Sequence, residues 1–248
     1  YKEKEMIEVN NVTVNYILGD IKDLSLKEFF IRKMKREVIT REFCALKDIS
    51  FHVNKGELLG IIGSNGSGKS TILKVLSGIM QPSKGSISIK GMVAPILELG
   101  AGFDGEMTVK ENIFLRGALL GYQKEFILEK YGDIIEFSEL KEFENVAYNK
   151  LSSGMKSKLA FALSSFVTPD VLILDEVLSV GDMAFRKKSE KRMKELFASG
   201  VTTILVSHSL NQIREMCSSV LWLEKGEKKG MGNTKEICDD YEKYMQKK

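Results

Sequence analysis

The eight residues Gly63-Ser64-Asn65-Gly66-Ser67-Gly68-Lys69-Ser70 constrain this chain more than any other feature. They fit the pattern GxxxxGK[ST] without a gap, and their flanks are the ones that pattern needs. The apolar run Leu58–Ile62 reads as a buried strand before them, and TILKVLSGIM reads as a helix after them. Glycines let the backbone curl until successive N–H groups face inward, where they cradle phosphate oxygens. The helix N-terminus near Ser70 adds partial positive charge at the same place. Gly63, Ser64, Asn65, Gly66, Ser67, Gly68 and the following Thr71 are therefore expected to surround a nucleotide's phosphates. Lys69 is expected to reach the β- and γ-phosphates and to serve in catalysis, and the Ser70 hydroxyl to ligate Mg²⁺.

The rest of the chain has the same texture. Residues 6–16 (MIEVNNVTVNY) and 49–53 (ISFHV) alternate as strands do, with Ile49, Phe51 and Val53 on one face and His52 on the other. Residues 86–97 read as short strands, and 108–167 as mostly helical, opened by a capping box of Thr108 and Glu111. VLIL at 171–174 and TTILV at 202–206 are apolar strands, separated by a helical stretch around 185–198. VLWLE at 220–224 reads as one more strand, followed by a charged turn and a terminal helix at about 234–246. Apolar strands alternating with helices imply a parallel sheet covered on both faces, so the fold class is α/β. Between the first two strands, Ser25 and Glu28 make a second capping box. Leu26, Phe29, Phe30, Met34 and Val38 then form an apolar stripe beside the basic residues Arg32, Lys33, Lys35 and Arg36. That insertion, about 20–42, reads as a helix docked on its own domain or against a membrane surface or membrane partner.

Composition narrows the function. The 37 basic and 34 acidic residues nearly balance, and there is no basic stripe with interleaved aromatics, so nucleic acid is not an expected partner. No apolar run approaches the roughly 18 residues of a membrane span, so the chain is no pore by itself. Cys44, Cys217 and Cys238 lie far apart, which argues against a disulfide framework or a structural zinc site and for a reducing compartment. The first ten residues hold no apolar signal core, and Tyr1 is read as a trimmed start.

Two further motifs belong beside the glycine loop. In Val171-Leu172-Ile173-Leu174-Asp175-Glu176 an apolar strand ends in two carboxylates. In enzymes with such a loop the first acid, Asp175, holds Mg²⁺ and the second, Glu176, polarises the attacking water as general base. His208 follows the strand TTILVS, at a strand's C-terminal end, where ligands collect in open α/β sheets. It is expected to hydrogen-bond the γ-phosphate and orient Glu176.

Between the loop and VLILDE stands Leu151-Ser152-Ser153-Gly154-Met155, which resembles the LSGGQ signature of ABC ATPases. Ser179-Val180-Gly181-Asp182 falls where that family has its D-loop, and His208 where it has its switch histidine. The resemblance covers about residues 6–246. It implies a P-loop NTPase of ABC type over 1–248, with a mainly parallel core sheet, an antiparallel β subdomain and a helical signature subdomain at about 104–165. It also implies ATP and Mg²⁺ as ligands and a second copy of the chain, head to tail. Each ATP would then lie between one copy's loop and the other's Ser152, Gly154 and Asp182.

The segment Glu98-Leu99-Gly100-Ala101-Gly102-Phe103, with TVKENIFLRGALLG, LSSGM, DEVLSVGD and FCALKDISF, is similar to the ATP-binding subunits that export lipid-linked polysaccharides and teichoic acids. Their permease is a separate multi-span chain, which would hold this one at the cytoplasmic face of the membrane. Glu98 takes the place where most ABC ATPases carry a glutamine that touches Mg²⁺, so it is assigned to the metal through the resemblance. For the adenine, Tyr16 is the best match to the family's stacking aromatic, with Phe43 as the substitute. Two other readings stand beside export of a polysaccharide. One is an exporter of drugs, peptides or lipids. The other is a soluble ABC ATPase that clamps nucleic acid, against which the 83-residue spacing of Lys69 and Ser152 leaves no room for a long coiled coil. The end at residue 248, with no carbohydrate-reading domain, favours teichoic acid or a similar polymer.

Overall fold

A computed structural model describes residues 5–18, 41–96, 102–166, 169–175, 181–207 and 209–247. Residues 20–40 of the insertion, with its Ser25–Glu28 box, and Glu98, Glu176 and His208 lie outside the described residues, while residues 41 and 42 are strand.

Two sheets make the frame. The smaller has the order β2-β1-β4 and is antiparallel, built from β1 (Glu5–Leu18), β2 (Arg41–Asn54) and β4 (Lys84–Ile89). The larger has the order β5-β6-β7-β3-β8-β9. In it β5 (Val93–Ile96), β6 (Val171–Asp175), β7 (Thr202–Val206), β3 (Leu58–Ile62) and β8 (Ser219–Glu224) are parallel, and β9 (Glu227–Asn233) closes one edge antiparallel to β8. Both the parallel core and the antiparallel sheet match the sequence reading.

The strands of the large sheet are apolar on both faces because each face meets a different core, and the period of two sorts them. Leu59, Ile61, Val171, Ile173, Ile204, Val206, Leu221 and Leu223 face a cluster shared with the antiparallel sheet. That cluster takes in Ile7, Val9, Leu46, Ile49 and Phe51 and one side of α1 (Lys69–Leu76), through Ile72, Leu73, Val75 and Leu76. Leu58, Ile62, Leu172, Leu174, Leu205 and Val220 face the opposite way. Against them pack α2 (Val109–Leu119), α3 (Lys124–Phe137), α4 (Ser153–Phe166), α5 (Met183–Ala198), α6 (Leu210–Met216) and α7 (Thr234–Gln246). Phe137 sits at the middle of this second core, its ring 5.4–6.0 Å from those of Phe161, Phe166 and Phe185.

One cap read from sequence, at Thr108, is present, and one that was not read stands at Asn233. Thr108 and Glu111 form a reciprocal capping box at the start of α2, and Asn233 caps α7. One strand is an addition: β9 was not expected in EKKGMGN. Two positive-φ residues, Lys225 (49°) and Gly226 (77°), fold it back on β8 in a two-residue hairpin turn.

Candidate nucleotide site

β3, β7 and β6 end in register, with Ile61 and Asp175 both paired to Val206. Every loop that leaves these C-terminal ends therefore starts on the same rim of the sheet, where ligands of open α/β folds bind. The glycine loop leaves β3 and enters α1 with Gly68 as N-cap in the left-handed region (φ 105°). A Cβ at Gly68 would lie 2.6 Å from Leu46 Cδ2 and 2.9 Å from the Ala45 carbonyl oxygen, so the tight approach to β2 also demands glycine.

A cleft of about 510 Å³ opens over this loop. Asn65, Gly66, Gly68, Lys69, Ser70 and Thr71 line it from the loop and α1, and Asp175 from the end of β6. Gly63, Ser64 and Ser67 belong to the same curl, with the Ser67 amide bonded to the Ser64 carbonyl at 3.1 Å. Lys69 is 8% exposed, and its ammonium donates to the carbonyls of Gly63 (2.7 Å) and Ser64 (2.9 Å). An ammonium has three donors, so two aim the side chain and one is left for an anionic oxygen. Burial lowers the Lys69 pKa, while the Asp175 and Glu224 carboxylates act in the opposite sense. The Ser70 hydroxyl and the Asp175 carboxylate, hard oxygen donors on one cleft, suit Mg²⁺.

Tyr16 and Phe43, weighed as alternatives in the sequence, both line the cleft. They are register partners across β1 and β2, and the Tyr16 hydroxyl lies 3.5 Å from Thr71 Oγ1. The wall that could carry a base is thus an aromatic pair. Ala45 and Val206 complete the lining.

The signature residues stand elsewhere. Ser152 and Ser153 are exposed and Gly154 is half-buried at the start of α4, and none of the three lines the cleft. Ser152 Oγ accepts the Met155 amide at 3.2 Å, which caps α4. Asp182 is absent from the lining too, and its carboxylate is committed within its own chain. Oδ1 caps α5 by accepting the Phe185 amide at 2.9 Å, and Oδ2 pairs with Lys158 of α4 at 2.9 Å. The Phe185 bond first, then Lys158, holds the Asp182 pKa down at about 2.

Two residues escaped the sequence reading. Asn112 is fully buried, and its amide group binds the backbone of Asp104, Met107 and Thr108, fixing the turn that leads into α2. Glu224, 1% exposed, accepts the Ser64 hydroxyl at 2.9 Å. Its signal was available, since VLWLE ends an apolar strand in an acid just as VLILD does.

The chain was compared with known proteins. The ABC transporter family matches residues 46–179. An O-antigen export system ATP-binding protein, RfbB of Klebsiella pneumoniae, is 41% identical over 245 residues, covering 97% of this chain and 98% of the relative. The teichoic acids export ATP-binding protein TagH of Bacillus anthracis is 40% identical over 241 residues, but this chain spans only 43% of its length. Among solved structures, the ATP-binding cassette MJ0796, in a dimeric post-hydrolysis state with ADP and Pi, superposes with a TM-score of 0.72. That superposition covers 92% of this chain and 99% of the other at 21% identity, a likeness that speaks for the fold. By its matched residues and its near full-length identity to such relatives, this chain belongs to the ABC transporter family.

Proposed function

We propose that the chain binds and hydrolyses ATP as the motor subunit of an exporter for a lipid-linked cell-surface polysaccharide or teichoic acid. The observation that carries the reading is the phosphate cradle with its aimed lysine, in a chain 41% identical to an O-antigen export ATP-binding protein along nearly all of both sequences.

In this reading Lys69 draws the β- and γ-phosphate oxygens into the loop, and Tyr16 with Phe43 holds the adenine against β1 and β2. Ser70 and Asp175 hold Mg²⁺, with Glu98 as a further ligand. The ion, when bound, neutralises charge on the phosphate oxygens. Glu176 accepts a proton from the attacking water, and His208 orients that carboxylate and the γ-phosphate. A second copy, packed head to tail, brings Ser152, Gly154 and the start of α4 to the γ-phosphate. The dimeric ATP-binding cassette with the same fold lends support. Among the described residues no helix is long and apolar enough to cross a membrane. In the same reading the pore belongs to a separate multi-span permease, and this chain acts at its cytoplasmic face.

The test is co-purification. A tagged Glu176→Gln variant, expressed in the native host and solubilised in mild detergent with Mg-ATP, is expected to bring down a polytopic membrane protein in equal amount. Recovery of soluble protein or nucleic acid alone would overturn the export reading.

A further inference from the structure

The hairpin turn between β8 and β9 lies some 160 residues from the phosphate loop in sequence yet reaches it at three points. The Leu223 carbonyl presses against Gly63, where a Cβ would come within 2.1 Å of its oxygen. Glu224 Oε2 accepts the Ser64 hydroxyl at 2.9 Å. The Gly226 amide donates to the Ser67 carbonyl at 3.0 Å, and the Gly226 carbonyl accepts the Lys47 amide of β2 at 2.8 Å. At φ 77°, with a Cβ that would sit 2.6 Å from the Ala45 carbonyl, position 226 has room only for glycine.

The turn therefore bridges the phosphate loop to the antiparallel sheet that carries Tyr16 and Phe43. A carboxylate 1% exposed is costly to bury, and one placed at this junction has to be matched by polar partners. Its charge also favours the protonated form of Lys69.

We propose that Glu224 is a positioning residue of the nucleotide site. From the end of β8 it fixes Ser64, and with it the curl of the loop on which the Lys69 ammonium is aimed. The proposal rests on the cleft being the nucleotide site. It adds a residue outside the family motifs recognised in the sequence.

The experiment measures Mg²⁺-dependent binding of a fluorescent ATP analogue to the full chain, with urea midpoints in parallel. The variants are Ser64→Ala, Glu224→Ala, Glu224→Gln and the double variant Ser64→Ala/Glu224→Ala. Ser64→Ala and Glu224→Ala are each expected to weaken binding about tenfold, the value of one hydrogen bond to a charged group. The double variant should bind no worse than Glu224→Ala, because both changes remove the same link. Glu224→Gln, which keeps an acceptor oxygen, should recover most of the loss. Unchanged affinity with a lowered urea midpoint would make Glu224 a structural residue only and overturn the proposal, as would losses that simply multiply in the double variant. If Glu224→Ala fails to fold, Ser64→Ala carries the test, and wild-type affinity in that variant overturns it. Failure of the wild-type chain to bind the analogue would instead remove the nucleotide reading itself.

Discussion

The phosphate loop and the signature segment are both glycine- and serine-rich turns that open a helix, yet the fold treats them in opposite ways. The loop is held from behind, with Asn65, Gly66 and Ser70 exposed. Ser67 is 1% and Lys69 8% exposed, and β2, β8 and the β8–β9 turn all touch the curl. Ser152 and Ser153 are exposed at the start of α4, where the bonds go into capping the helix and no side chain reaches the cleft. The proposed phosphate cradle is thus built within one chain. Among the described residues the signature segment adds nothing to its own chain's cleft, as the proposed head-to-tail arrangement requires.

The sharpest way to break this contrast is to disable each half separately. Lys69→Ala removes the aimed ammonium and should weaken Mg-ATP binding about a hundredfold or more, read by titration calorimetry. Wild-type affinity there would deny the loop its role. Gly154→Asp tests the other half. A Cβ at Gly154 meets nothing closer than Ser152 Oγ at 4.0 Å, so the new side chain fits. A carboxylate in the first turn of α4 also suits the helix dipole. Binding to the isolated chain should therefore stay unchanged, while ATP turnover falls about a hundredfold, on the scale of losing transition-state stabilisation at a phosphoryl group. Weakened binding in the isolated chain would mean that the signature serves its own chain's nucleotide, and the contrast would fail.

The next effect is smaller and lies wholly on the binding side. Tyr16→Ala should weaken ATP binding about tenfold, with turnover at saturating nucleotide little changed, if base stacking on an aromatic ring here has its usual worth. Phe43→Ala sharpens the assignment. Because the two rings are register partners on one wall, each should cost part of the stacking and the double variant the whole. A loss confined to Phe43→Ala would move the platform one strand over.

What the sequence disclosed follows from how local each signal is. The loop, its strand and its helix occupy one continuous stretch, and the Thr108–Glu111 box is closed by residues three apart, so both were legible. The α7 bounds 234–246 were legible for the same reason. β2 was read only at 49–53 although it spans 41–54, because register shifts against β1 interrupt the alternation and residues 42–44 are exposed. β9 carries Gly230 and Gly232 and owes its conformation to pairing with β8, which no window of its own sequence contains. Glu224 was read as the end of a strand, but its link to Ser64 spans 160 positions and exists only once β8 lies beside β3. The separation of Ser152, Gly154 and Asp182 from the cleft is likewise a fact of tertiary arrangement.

The smallest effect concerns what holds the signature side together. Lys158 of α4 joins Glu139 and Asp182, linking the signature helix to the first turn of α5. Its ammonium also lies 5.1 Å from the centre of the Phe185 ring. The phosphate loop, by contrast, is held through backbone bonds and a buried carboxylate. Asp182, with its pKa near 2 against an ordinary 3.8, contributes stability that is complete above the ordinary value and is lost as pH falls through 2. The Lys158 pKa is raised, first by its bond to Glu139, so its contribution stands at neutral pH and is lost only in strong alkali. Lys158→Met should therefore lower the urea midpoint slightly at pH 7, and the gap to wild type should close as pH is taken from 5 towards 2. Hydrogen exchange over the same range should show α4 and α5 losing protection in the wild type before α1 does. A gap that stays constant to pH 2 would assign the effect to packing of the lysine stem against Phe185 and not to the ion pair. The two helix ends would then be joined by the same kind of contact as the rest of the core.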